Sequence, residues 1–99
     1  MGSKVVTGTL TAANQVSAAL QVEKDFNIAL WGTFDATTVL ERSFDEGATW
    51  LPCSLNTSGD QAAYTTALSA TVFEPEGGVR YRWRCSIFNS GTISYRISQ

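Results

Sequence analysis

Val79-Arg80-Tyr81-Arg82-Trp83-Arg84-Cys85-Ser86-Ile87-Phe88 decides the fold class. Val79, Tyr81, Trp83, Cys85 and Ile87 occupy alternate positions, with Arg80, Arg82, Arg84, Ser86 and Phe88 between them. A repeat of two places each set on one side of an extended chain, whereas a helix would spread both around its circumference. Upstream, Phe26, Ile28 and Leu30 share a face opposite Asn27, Ala29, Trp31 and Thr33; downstream, Ile93, Tyr95 and Ile97 alternate with Ser94, Arg96 and Ser98. No 3.6-residue stripe competes with this pattern. Strands are predicted over 4–10, 15–22, 26–34, 37–44, 49–54, 69–73, 79–88 and 92–98, with a weaker one around 62–66. Turn-forming residues separate them at Ala12-Ala13-Asn14, Glu23-Lys24-Asp25, Asp45-Glu46-Gly47, 56–60, 74–78 and Asn89-Ser90-Gly91. Seven to nine short strands over residues 1–99 imply one all-β domain, a small sandwich of immunoglobulin-like or jelly-roll-like topology.

The last two strands can be registered against each other as a hairpin. Pairing Ile87 with Ile93 keeps both apolar sets on one side and leaves Asn89-Ser90-Gly91 as a three-residue loop, with Gly91 at the left-handed position. Cys85 then meets Tyr95, Trp83 meets Ile97, and Arg84 lies opposite Arg96. Arg80, Arg82, Arg84 and Arg96 would form a ladder of planar, multidentate donors on one face. Either it awaits an anionic partner or it is a solvated face paired with local acids such as Glu23 or Glu41. Trp31, on the more polar side of its strand, is a second contact candidate. Phe88, on the arginine side at the hairpin tip, is a third.

Charge is unevenly distributed along the chain. Residues 1–77 carry Lys4, Lys24 and Arg42 against all nine carboxylates, while residues 78–99 carry four arginines and no acid. With a pI near 4.9 and neither lysine clusters nor RNA-type stacking motifs, nucleic acid is not the expected partner. No apolar run approaches the ~18 residues of a membrane span, and no signal-peptide pattern follows Met1. The expectation is a soluble protein made in the cytoplasm, with no membrane partner. Cys53 and Cys85 are then expected to be buried free thiols, a disulfide requiring that their strands face each other.

Ser43-Phe44-Asp45-Glu46-Gly47-Ala48-Thr49-Trp50 fits the pattern Ser-x-Asp-x-Gly-x-Thr-Trp at every defined position. An Asp able to bond loop amides and a Gly free to take positive φ describe a self-bracing hairpin. The motif resembles the Asp boxes of sialidase-type propellers, but it occurs once, and ninety-nine residues cannot build a propeller of four-stranded blades. Ser43, Asp45, Gly47, Thr49 and Trp50 are therefore assigned a structural role.

An enzyme is not expected. Histidine, the commonest general base and metal ligand, is absent. Asp45 and Glu46, adjacent in a turn, cannot set a separation across a sugar ring, and 74–78 reads as a strand-breaking turn rather than a calcium loop. No cofactor, metal site or catalytic residue is predicted.

Several stretches together, Phe26–Trp31 with the Gly32-Thr33-Phe34 that follows, Val39-Leu40-Glu41-Arg42 leading into the Asp box, 74–82, and Ser90-Gly91-Thr92-Ile93-Ser94-Tyr95-Arg96-Ile97-Ser98-Gln99, resemble small structural proteins of tailed bacteriophages. The resemblance covers most of the chain in the same order. It implies a virion protein, most simply a capsid decoration or cement protein acting as a homo-oligomer, a trimer on particle geometry, and contacting the major capsid protein. A neck, tail or head-fibre component, or a carbohydrate-binding module for host glycans built on Trp31, are the alternatives. The acidic body and the basic hairpin are expected to dock on neighbouring copies.

Overall fold

The computed structural model describes residues 4–52, 63–72, 74 and 76–99. Nine strands form among them: β1 Val5–Leu10, β2 Leu20–Val22, β3 Phe26–Trp31, β4 Phe34–Ser43, β5 Leu51–Pro52, β6 Ala63–Tyr64, β7 Leu68–Val72, β8 Val79–Gly91 and β9 Ile93–Ser98. The protein is all-β, a small sandwich of two antiparallel sheets. Sheet A runs β1-β9-β3-β7; sheet B runs β2-β8-β4, with β5 and β6 one after the other along the far side of β4. Cys53 and the expected turn over 56–60 lie outside the described residues.

The alternation seen in the sequence builds the core. Phe26, Ile28, Leu30, Ile93 and Ile97 of sheet A meet Leu40, Tyr81 and Trp83 of sheet B, each at most 1% exposed. Burial of each such side chain contributes roughly 1.5–3 kcal/mol. The Phe26 and Tyr81 rings, 4.3 Å apart between centroids, join the two layers directly. Tyr95 lies over Gly8, its register partner on β1, where any Cβ would fall 2.6 Å from the phenol oxygen.

The predicted hairpin of the last two strands does not form. β8 lies in sheet B between β4 and β2, and β9 lies in sheet A between β1 and β3. Both edges of β8 are occupied, the second also by the segment around Val16, which bridges Arg84. Period-two alternation demands only that apolar residues face the core. Two strands facing each other across that core satisfy it as well as two strands side by side. Cys85 and Tyr95, and Trp83 and Ile97, therefore all point inward from opposite sheets, and Arg84 and Arg96 point outward on opposite sides of the molecule.

Gly91 has the positive φ expected of it, 96°, but for a different purpose. It is the crossing point between the sheets, where Thr92 N–H donates to the Thr33 carbonyl at 2.9 Å. A Cβ on Gly91 would strike Thr33 O and Phe34 Cα.

β8 also changes parity along its length. Thr38 pairs with Cys85 and Thr37 with Ile87, so Ser86 is an extra residue, a β-bulge. Past it the faces exchange. Ile87 is turned outward and 56% exposed, while Phe88 turns inward to pack on the core. The placement of Phe88 on the arginine face is thus reversed.

Candidate functional site

The two outer sheet faces carry the candidate residues, and they differ in chemistry. On sheet B, Arg80, Arg82 and Arg84 stand opposite Ser43, Glu41 and Val39 of β4. Glu41 is 7% exposed and serves two arginines at once. Its Oε1 accepts from Arg82 Nε and its Oε2 from Arg84 Nε, both at 2.9 Å. A carboxylate buried to this degree requires such compensation.

The same arginines hold the Asp-box loop onto the sheet. Arg82 lies 4.2 Å from the centroid of the Trp50 ring, a cation–π contact, and Arg80 Nη1 donates to the Glu46 carbonyl at 3.0 Å. Within the loop Ser43 Oγ donates to Asp45 Oδ1 at 2.7 Å and accepts from Gly47 N–H at 2.8 Å. Asp45 Oδ1 also accepts from Thr49 N–H at 2.8 Å. Glu46 and Gly47 take the left-handed turn, with φ of 61° and 94°. The hydroxyl of Ser43 and the amide and side chain of Thr49 hold the Asp45 carboxyl down at about 2. The hairpin is self-braced, with β5 returning along β4 through the Glu41–Pro52 and Arg42–Leu51 pairs.

The arginine ladder is therefore not one surface. Arg80, Arg82 and Arg84 serve the fold on sheet B, and Arg96 stands alone on sheet A. Glu41, one of the local acids considered as a partner, takes two of them. A further acid, Glu74, lies in the stretch whose sequence reads only as a turn. It is 3% exposed and binds Tyr81, whose phenol donates to Oε1 at 2.6 Å, with Arg42 Nη1 3.7 Å from the same oxygen. The parity of β4 held a signal for it, since Arg42 shares the inward face of Leu40 and so requires a buried acid.

On sheet A the outward positions of β1, β9, β3 and β7 are small, hydroxylated or amide side chains around Arg96, apart from the exposed Val5 at the start of β1 and Trp31 at one side. Trp31 is 46% exposed, on the polar side of β3 as expected. Arg96 pairs across the sheet with Ala29, and Ser94 with Trp31, so arginine and indole are diagonal neighbours. Beside Arg96 a shallow depression of about 140 Å³ is lined by Asn27, Ile28, Ala29, Ser69 and Ser98. None of these outward positions is acidic, and among the described residues Arg96 has no ion-pair partner.

Cys85 is a buried free thiol; burial raises its pKa, and its Sγ donates to the Ile87 carbonyl at 3.3 Å. Among the described residues no three His, Cys, Asp or Glu side chains gather as a metal site would require. Comparison of the chain with protein-family models, curated proteins and solved structures gives no match.

Proposed function

We propose that this chain is a structural protein of a tailed-bacteriophage virion, a capsid decoration or cement protein that works by associating with copies of itself and with the major capsid protein rather than by catalysis. The observation that carries the self-association is the contrast between its two sheets. Sheet B is bordered by strands of two or three residues. Sheet A is bordered by β1, Val5-Val6-Thr7-Gly8-Thr9-Leu10, and β7, Leu68-Ser69-Ala70-Thr71-Val72. Neither contains a charge or a proline, and their pairing with the interior runs without a bulge. Proteins that stay apart blunt such edges with lysines, prolines, bulges or brevity.

The geometry favours head-to-tail pairing. Each strand of sheet A is antiparallel to its neighbour, so β1 and β7, at the ends of four, run in opposite directions. Copies in the same orientation therefore extend one antiparallel sheet, with β7 of one against β1 of the next. Such contacts close into rings when the rotation permits, which suits the three-fold positions of a capsid lattice.

Lysine at one edge tests this. Thr9→Lys in β1 and Ala70→Lys in β7 should each reduce the oligomer to monomer by native mass spectrometry. Mixing the two variants should restore dimers and nothing larger, because each retains one competent edge. If neither variant changes the mass, edge pairing is wrong. Reconstruction of the particle tests the location: copies matching the capsid lattice support decoration, and copies at a single vertex or along the tail identify a neck, tail or fibre component.

A further inference from the structure

Four arginines end the chain, and three of them are engaged by Glu41, by Trp50 or by the Asp-box backbone. Arg96 is exposed at the centre of sheet A, and several of the side chains around it offer hydrogen-bond donors. Ser98 lines the adjoining depression, and its hydroxyl makes no hydrogen bond among the described residues, which leaves it available to a ligand. Ser69 adds a second hydroxyl. Asn27 adds amide N–H groups, its own oxygen being occupied by the Thr71 hydroxyl at 3.0 Å. A guanidinium, two hydroxyls and an amide around a depression that no described acid lines form a receptor for a small anion.

The exposed indole narrows the class of anion. Diagonal neighbours on an antiparallel sheet stand roughly 7–8 Å apart, so a group on Arg96 lies within one sugar ring of Trp31. The apolar face of a pyranose stacks on an exposed indole, an aromatic surface with a polar rim. The depression, at about 140 Å³, has the room of about five waters, enough for a carboxylate and part of the ring that bears it. One fixed positive charge suits one carboxylate. A nucleic-acid backbone would need a row of cations, and among the described residues the outward positions of this sheet carry one.

We infer that the outer face of sheet A is a binding site for a carboxylated saccharide, with Arg96 and Ser98 taking the carboxylate and Trp31 the ring. This site does not depend on the virion assignment, and the edge-lysine variants that test assembly leave Arg96, Ser98 and Trp31 in place.

Trigalacturonate is a suitable probe, titrated into isotope-labelled protein while the Trp31 indole N–H and the Ala29, Ser69 and Arg96 amides are followed by NMR. Its methyl ester, acetate and a short single-stranded DNA form the comparison arms. The expected result is saturable shifts at these positions with trigalacturonate, weakened about tenfold or more by Arg96→Ala, the cost of a lost charge-assisted hydrogen bond. Trp31→Ala should weaken binding by about threefold to tenfold. Both side chains are exposed, so unchanged shift dispersion shows that the variants fold. Absence of saturable shifts overturns the inference. Equal response to the ester, equal response to acetate, or tighter binding of DNA overturns it in favour of a neutral sugar, a simple anion or a nucleic acid respectively.

Discussion

Asp45 and Gly91 show how single residues hold conformations that the rest of the chain depends on. The Asp45 carboxyl titrates at about 2 in the folded protein, against an ordinary value near 3.8. Between those values the unfolded chain binds a proton that the folded one does not, so stability rises with pH across that interval. The contribution is complete above about pH 4 and is lost as pH falls toward about 2. Asp45→Asn should therefore flatten the dependence of the urea midpoint on pH between about 4 and 2, and leave its shape at neutral pH unchanged. An unaltered slope would mean that other carboxylates carry the acid sensitivity. Gly91 is constrained by its positive φ and by the Thr33 and Phe34 backbone pressed against it. Gly91→Ala should cost on the order of 2–4 kcal/mol, seen as a fall in melting temperature of roughly 4–8 °C for each kcal/mol. Both residues stand out in the sequence, and Asp45 Oδ1 makes the kind of loop bonds its Asp-box position implies. For Gly91 the sequence supplied the φ but the wrong connection, because a left-handed residue ends a strand equally well before a hairpin or before a crossing between sheets.

Pairing between β4 and β8 is where the strands, the arginines and the Asp-box loop become one unit. Glu41 holds Arg82 and Arg84 from below, and Arg82 in turn holds Trp50 from the other side. Glu41→Gln removes the charge and leaves two guanidinia facing each other. Removing one member of a fully buried pair costs about 3–5 kcal/mol. These arginines remain 21% and 30% exposed, and water screens part of that, so about 2–3 kcal/mol is expected. Trp50 emission should shift to longer wavelength as Arg82 releases the ring, and a double-mutant cycle with Arg82→Ala should show positive coupling. The identity of β8 as a strand was evident from its alternation. Its bulge at Ser86 was not, since a bulge is set by the partner strand, and Thr37 and Thr38 give no local sign that one residue between their partners is skipped.

At the scale of the molecule, the protein is a two-sheet sandwich with one face occupied by its own ion pairs, and among the described residues the other face is left open and its edge strands β1 and β7 carry no charge, proline or bulge. The edge-lysine and trigalacturonate experiments address these two features separately. Sequence by itself determined the all-β class, the positions of the strands, the inward residues such as Tyr81, Trp83 and Ile97, and the braced Asp-box hairpin. Those follow from short-range rules: a repeat of two, turn residues at fixed offsets, and side-chain bonds to nearby amides. Tertiary structure alone decided which strands are neighbours. It placed β8 and β9 in different sheets, separated Arg84 from Arg96, gave Arg82 and Arg84 to Glu41, and set Arg96 beside Trp31. The physical reason is that alternation specifies which side of a strand faces the core and is silent about which strand lies beside it, while both the ion pairs and the open face are properties of neighbours.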